Sequence, residues 1–247
     1  MNKNNGACRA YEKLGFKVVL EREWLDLSVN LMLQRKPVKE IRETLQNTIS
    51  SSGKRSKLTT KFAVQILRAW FEPDDDLVLF RDQLLDHIQK MPQEQWPILH
   101  WACLTASYPF LLSFSTVFGR LISLQNETTK AQVLARLQDI YGTREVVERS
   151  LYYAMGSFIN LGLIQRKDNI LLTAPEKIEI GSDRLGILLW KAMIHATRGN
   201  RLAVGVLRNA PALYAFNMSE IFAARKYEFL PDLYYHQYAS EEILSLN

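Results

Sequence analysis

The chain has 247 residues, 47% of them hydrophobic and 23% charged, a composition that excludes wholesale disorder and predicts one large or two ordinary domains. Its formal net charge of +5 favours an anionic partner, because an excess of Lys and Arg attracts polyanions. No apolar run approaches the roughly 20 residues of a membrane-spanning helix, and the polar start lacks a signal-peptide core, so we expect a cytoplasmic protein without membrane association.

The first 36 residues predict a small α/β fragment. Residues 4–14 have helical spacing and end at Gly15, and the segments FKVVLERE and WLDLSVNLMLQRK then predict two strands. From Pro37 the pattern becomes helical, and the polar stretch SSSGKRSKLTT is the most linker-like segment of the chain. We therefore predict a domain boundary between residues 37 and 60.

The middle of the chain predicts helices. KFAVQILRAWF and DLVLFRDQLLDHIQKM have apolar residues at intervals of three and four, and the acidic run Asp74–Asp76 is suited to starting the second helix. The mostly apolar segment WPILHWACLTASYPFLLSFSTVFGRLISLQ is interrupted by Pro97 and Pro109 and predicts buried core helices. The fold class is therefore mainly α.

Further helices are predicted toward the C-terminus, separated at Gly199, Pro211 and Pro231, and no repeat of fixed period is visible. The chain is thus divided into four predicted parts. These are a fragment at 1–37, a helical part at 38–108, a central module at 109–176 and a helical part at 177–247.

Residues 127–174 carry the most informative pattern. TTKAQVLARLQDI, with Thr128 or Thr129 as N-cap, the turn YGT and then REVVERSLYYAMGSFINLG predict a helix, a turn and a second helix. LIQRKDNILLTA predicts a hairpin that turns at residues 167–169. With a preceding helix from about Pro109 to Leu124, this order resembles a winged-helix fold, whose second helix enters the major groove of DNA.

The second helix has one apolar and one polar face. We predict that five residues face inward, namely Val147, Leu151, Ala154, Met155 and Phe158. The residues predicted to face outward are Arg144, Glu145, Glu148, Arg149 and Tyr152. The predicted contacts with double-stranded DNA are made by Lys130, Arg136, Arg144, Arg149, Tyr152, Arg166 and Lys167. The alternative is a structural or protein-docking module with solvated charges, because Glu145 and Glu148 would repel phosphate.

The segment NNGACRAYEKLGF fits the pattern N-x-x-A-x-x-x-Y-E-K-L-G-F and resembles the last conserved segment of GNAT-family acetyltransferases. The resemblance covers residues 4–37 and implies that Asn4 and Tyr11 lie beside acetyl-CoA, with the tyrosine protonating the departing thiolate. The chain contains no Q/R-x-x-G-x-G/A loop for the pyrophosphate of that cofactor. We therefore expect no cofactor and no catalysis, and an acetyltransferase-related function is the alternative.

From residue 38 onward the layout resembles the small helical winged-helix protein of BREX phage-defence systems. The segments that carry this resemblance are SKLTTKFAVQILRAW, LHWACLTASYPFLLSFSTVFGRL, TTKAQVLARLQDIYGTREVVERSLYYAMGSFINLGLI, ALYAFNMS and EEILSL. The resemblance implies a non-enzymatic, DNA-binding component that acts together with other proteins of a defence system.

Other residues predict no metal site or catalytic centre. Cys8 and Cys103 lack the spacing of metal ligands, and we expect idle or buried thiols without a disulfide. The histidines are scattered and are expected to be core or surface residues: His87, His100, His195 and His236. Three aromatic pairs are expected in the core and not as base-stacking platforms: Trp96 and Trp101, Tyr152 and Tyr153, and Tyr234 and Tyr235.

Overall fold

The computed structural model of the chain describes residues 14–53, 56–218, 232–239 and 241–246. Ten α-helices and eight short strands lie within these ranges, which confirms the prediction of a mainly helical protein. The buried hydrophobic side chains form one continuous cluster that includes Phe16 near one end and Leu246 near the other. No helix in the described ranges is both long and apolar enough to cross a membrane.

The second strand predicted near the N-terminus is wrong, because its residues form helix α1 (Arg22–Leu33). Trp24, Leu25, Ser28 and Val29 are buried there. Steps of one, three and one residue place these side chains on one face of a helix, whereas a strand would bury every second residue. The helix predicted over residues 4–14 falls almost entirely outside the described residues.

Four helices follow: α2 (Val38–Ser51), α3 (Lys57–Phe71), α4 (Val78–Ile88) and α5 (Trp96–Ser107). The hydroxyl of Ser56 accepts a hydrogen bond from the backbone N–H of Thr59 and so caps the start of α3. A short 3-10 turn, Asp75–Leu77, leads into α4 at the acidic run that was predicted to start this helix. Short connections join these helices, and α2 packs on α3 while α4 packs on α5.

The hydrophobic centre consists of α5, α6 (Pro109–Gln125) and α9 (Asp183–His195), with α9 packed on α5. All residues of α5 from Trp96 to Ala106 are buried, which confirms the prediction of core helices in this segment. The two prolines that interrupt the apolar run lie in the first turns of α5 and α6, where a missing N–H leaves no hydrogen bond unmade.

The central module contains two helices and a three-stranded sheet. Its elements are β1 (Glu127–Thr129), α7 (Lys130–Tyr141), α8 (Glu145–Asn160), β2 (Gln165–Arg166) and β3 (Leu171–Thr173). The strands are antiparallel and lie in the order β1-β3-β2. Thr129 caps α7 in a capping box with Gln132, which confirms one of the two predicted N-caps.

A glycine turn connects α8 to the hairpin. Gly162 has a φ of 71°, and the N–H of Leu163 donates to the carbonyl of Phe158 at 2.8 Å. The N–H of Gly162 also donates to the carbonyl of Ile159, which completes a Schellman motif. The predicted helix, turn, helix and hairpin are therefore all present in the described residues.

Residues 14–21 form an extended segment, here called the strap, that lies against the C-terminal half of α8. The backbone N–H of Leu20 donates to the hydroxyl of Ser157 at 2.8 Å, and the amide of Asn160 donates to the carbonyl of Leu20 at 3.0 Å. No strand pairing is described for these residues, so the strand predicted at FKVVLERE is also wrong. Side chains of α8 bond to the backbone of Leu20 in place of a neighbouring strand.

The helical prediction for the C-terminus is wrong in part. A hairpin of β7 (Leu233–Tyr238) and β8 (Glu241–Leu246) occupies most of the described end of the chain, and β8 also pairs with β5 (Arg201–Ala203). The sequence LYYHQY is rich in aromatic residues, which favour strands, and their spacing alone did not distinguish a helix from a hairpin. β4 (Ile178–Glu179) and β6 (Phe216–Asn217) form a separate parallel pair.

The sheet β5-β8-β7 has the same order and antiparallel pairing as the sheet β1-β3-β2. In both, a three-residue strand leads directly into a helix, α7 in one case and the short α10 (Val204–Arg208) in the other. Both first strands also follow an asparagine with positive φ, Asn126 at 62° and Asn200 at 50°. The topology thus repeats although the sequence shows no fixed period.

Candidate nucleic-acid interface

Helix α8 has the two faces that the sequence predicts. The five residues predicted to face inward are buried, and Phe158 among them packs edge-on against Phe114 of α6. The residues predicted to face outward are exposed, and Tyr152 has 55% of its surface accessible. Because the inward residues fix the rotation of the helix, the outward set is presented to solvent in one orientation.

Lys130 connects the two helices of the module. Its ammonium lies 3.4 Å from a carboxylate oxygen of Glu148 and 5.7 Å from the centre of the Tyr152 ring. The structure therefore brings together two of the predicted DNA contacts, Lys130 and Tyr152, with an acidic residue between them. The capping box at Thr129 and Gln132 fixes the start of α7 and hence the position of Lys130.

Two further predicted DNA contacts, Arg149 of α8 and Arg136 of α7, form ion pairs within their own helices. Arg149 lies 3.5 Å from Glu145, and Arg136 lies 3.4 Å from Asp139. Arg144 instead donates through Nε to the backbone carbonyl of Tyr141 at 3.0 Å, across the turn between α7 and α8. Exposed ion pairs of this kind contribute about 0–1 kcal/mol to the free energy of unfolding. A phosphate of DNA can therefore replace the carboxylate at a small cost in free energy.

The hairpin β2–β3 presents Arg166 and Lys167 to solvent. The ammonium of Lys167 lies 2.7 Å from a carboxylate oxygen of Glu127, and this hydrogen bond raises the pKa of Lys167 above its ordinary value. Arg166 has no ion-pair partner among the described residues. No contact among the described residues joins these two cations to Arg144 or Arg149.

The positive and negative charges of this module nearly cancel. Residues 127–173 contain six basic and five acidic side chains, which leaves almost no net charge. The residues that reduce it are Glu127, Asp139, Glu145, Glu148 and Asp168. The net positive charge of the chain therefore comes mostly from other segments.

One such basic segment was not singled out from the sequence. Residues 196–218 contain three arginines and no acidic residue, and Arg198, Arg201 and Arg208 are all exposed in the structure. Arg201 lies in β5 and Arg208 in α10, the elements that repeat the topology of β1 and α7. An asparagine precedes the first strand of each sheet, Asn126 before β1 and Asn200 before β5. This shared residue is the sequence signal for the repeat, and the positive φ of both asparagines in the structure reveals it.

A buried polar chain links α1, α3 and α5. The indole N–H of Trp70 donates to Nδ1 of His100 at 3.1 Å, and Nε2 of His100 lies 2.7 Å from the carboxylate of Asp26. Burial lowers the pKa of His100 below its ordinary value, although the carboxylate opposes this shift. Burial alone would raise the pKa of Asp26, but the hydrogen bond from His100 and the nearby charges lower it overall.

A second buried pair joins α9 to the C-terminal hairpin. The ammonium of Lys191, fully buried, lies 2.6 Å from the carboxylate of Asp232, and the side chain of Gln83 bonds to both. Burial lowers the pKa of Lys191, and the contact with Asp232 counteracts this shift. Among the described residues, no group of three or more His, Cys, Asp or Glu is arranged to hold a metal ion.

The remaining predictions have mixed outcomes. Cys103 is buried as expected, and burial raises the pKa of its thiol. The expectation of core positions is confirmed for Trp96 and Trp101. It is wrong for three tyrosines that the structure exposes, namely Tyr152, Tyr234 and Tyr235. The predictions for Asn4, Cys8 and Tyr11 lie outside the described residues.

Comparison of the chain with protein-family models, with curated proteins and with solved structures found no match. The resemblances to GNAT acetyltransferases and to the small BREX protein therefore stay predictions. Support for a function comes from the local geometry of the central module.

Proposed function

We propose that residues 109–176 form a winged helix and that the chain binds double-stranded DNA through it, without catalysis. The observation that carries this proposal is the exposed face at the start of α8, which includes Arg144 at the N-cap and Arg149 and which Lys130 contacts through Glu148. In helix-turn-helix proteins, the N-terminal residues of the second helix contact the base edges in the major groove. The hairpin β2–β3 is then the wing.

The strap supports this assignment because it covers only the other half of α8. Ser157 and Asn160 bond to the strap backbone, and Val19 packs against Gly156. The residues from Arg144 to Tyr152 are left accessible on their outward face. The covered half anchors α8 to the helical body, and the described residues leave the other half open to a groove.

The ion pairs on this face set the expected strength of binding. Arg149 and Lys130 exchange a weak contact with Glu145 or Glu148 for a contact with phosphate. The carboxylates stay close to the DNA and oppose it, so we expect non-specific affinities within the usual range of about 10⁻⁴–10⁻⁶ M at physiological salt. The resemblance to the small BREX protein supports a role beside other components of a phage-defence system.

Fluorescence anisotropy with a short random duplex tests the proposal. The test variant carries R144Q, R149Q, R166Q and K167Q. The control variant removes four exposed lysines outside this module through K39Q, K57Q, K61Q and K90Q. We expect the test variant to bind at least about tenfold more weakly than the control, because each neutralised side chain can no longer pair with a phosphate. Equal affinities of the two variants would contradict this location for the DNA site.

Docking of another protein on the same module is the second candidate. It is favoured by the near balance of charges in residues 127–173 and by the exposure of Ile140 and Tyr152, each more than half accessible. Interfaces are enriched in tyrosine, and charges of both signs on their surfaces can pair with complementary charges of a partner. Duplex binding by the wild-type chain that the four-charge variant abolishes would argue against this candidate.

A further inference from the structure

The tip of the wing combines exposed cations, an amide and an exposed apolar side chain. All residues from 165 to 170, with the sequence QRKDNI, are exposed, and Ile170 has 70% of its surface accessible. Single exposed apolar residues are common on protein surfaces. Ile170 differs because it stands at the end of a hairpin among side chains of the types that contact nucleic acid.

The backbone at the tip is held in place by several hydrogen bonds. One carboxylate oxygen of Asp168 accepts from the backbone N–H of Ile170 and of Leu171, each at 2.7 Å. The N–H of Lys167 donates to the carbonyl of Leu171 at 3.0 Å, and its ammonium bonds to Glu127 at the base of the wing. Ile170 is therefore presented by a fixed turn and not by a loose loop.

The side chains of the tip suit the minor groove of DNA. Proteins that bind there use Arg, Lys, Asn and Gln for its edges and insert an apolar wedge such as Ile between base steps. The tip supplies Gln165, Arg166, Lys167 and Asn169 around Ile170. The one acidic residue of the tip, Asp168, directs a carboxylate oxygen at the backbone N–H groups of Ile170 and Leu171.

We propose that the wing tip enters the minor groove of bound duplex DNA, where Ile170 wedges between base pairs and bends the duplex. This proposal rests on the proposed DNA binding by the winged helix. The minor groove is about 6 Å wide, which admits a side chain such as Ile170 ahead of the hairpin. Because unstacking is easiest at pyrimidine–purine steps, the tip is expected to prefer A·T-rich sequence with TA steps.

Energy transfer between fluorophores on the two ends of a short A·T-rich duplex tests the wedge. We expect the wild-type chain to shorten the distance between the ends, and I170A to bind without shortening it. The affinity of I170A is expected to change by less than about tenfold, because the missing wedge contact and the avoided cost of unstacking oppose each other. I140A is the matched control, since Ile140 is an exposed isoleucine on α7, away from the tip.

A minor-groove ligand such as netropsin provides the second readout and is expected to compete with the wild type on A·T-rich duplex. If I170A bends DNA as the wild type does, or if the ligand does not compete, the wedge is overturned while DNA binding by α8 stands. If the wild type binds no duplex, the proposed function and the wedge both fail. Unchanged thermal unfolding of I170A confirms that the exposed substitution leaves the fold intact.

Discussion

At the scale of single residues, the burial of His100 makes stability depend on pH. The pKa of His100 is lowered in the folded chain. As the pH falls below the ordinary value of 6.5, the unfolded chain therefore binds more protons than the folded chain does. The contribution of neutral His100 to the free energy of unfolding is therefore fully present above pH 6.5 and is lost in mild acid. The pKa of Asp26 is lowered as well, which removes further stability in stronger acid.

We expect the free energy of unfolding of the wild type to fall between about pH 7 and pH 5. In H100Q this fall should be smaller, because glutamine accepts from Trp70 and donates to Asp26 without titrating. Urea unfolding at several pH values measures the free energy of unfolding of the wild type and of H100Q. An equal slope in the wild type and H100Q would show that His100 is not the titrating group.

At the scale of elements, the strap and α8 meet at Gly156. A Cβ added there would lie 2.8 Å from a methyl carbon of Val19, closer than real Cβ contacts allow. G156A should therefore destabilise the chain by about 1–3 kcal/mol, despite the gain in helix propensity of about 1 kcal/mol. Adding V19A should restore part of the stability. If G156A is stabilising by itself, the strap does not lie against α8 as described.

The C-terminal hairpin is attached to α9 through Lys191 and Asp232. Removing one partner leaves a buried charge, so D232A should cost about 3–5 kcal/mol of unfolding free energy. The double variant K191M/D232L should be destabilised much less, because no unpaired charge remains. Thermal and urea unfolding of both variants distinguish the cases. Equal destabilisation of the two variants would contradict the ion pair.

Elements with local signals could be predicted from the sequence, and those made by distant contacts could not. The inward face of α8 and its exposed arginines follow from a period of 3.6 residues. The strap and the C-terminal hairpin depend on partners far along the chain, as with Leu20 and Ser157. The ion pair of Lys167 with Glu127 likewise required the pairing of β1 with β3.

At the scale of the whole molecule, the net charge of +5 is distributed unevenly. The proposed DNA-binding module is close to neutral, whereas residues 196–218 carry Arg198, Arg201 and Arg208 without an acidic residue. One hydrophobic core connects both regions. Composition alone therefore predicted an anionic partner but not the surface that meets it, because the arrangement of carboxylates among the cations decides local attraction.

The most direct test of the central claim is the salt dependence of duplex binding by the wild type and by the variant with R144Q, R149Q, R166Q and K167Q. We predict that affinity falls linearly in a plot of log K against log salt and that the four substitutions reduce the slope by about 3–4, near 0.9 for each phosphate that is no longer neutralised. Identical slopes, or binding that does not respond to salt, would contradict DNA binding by the winged helix.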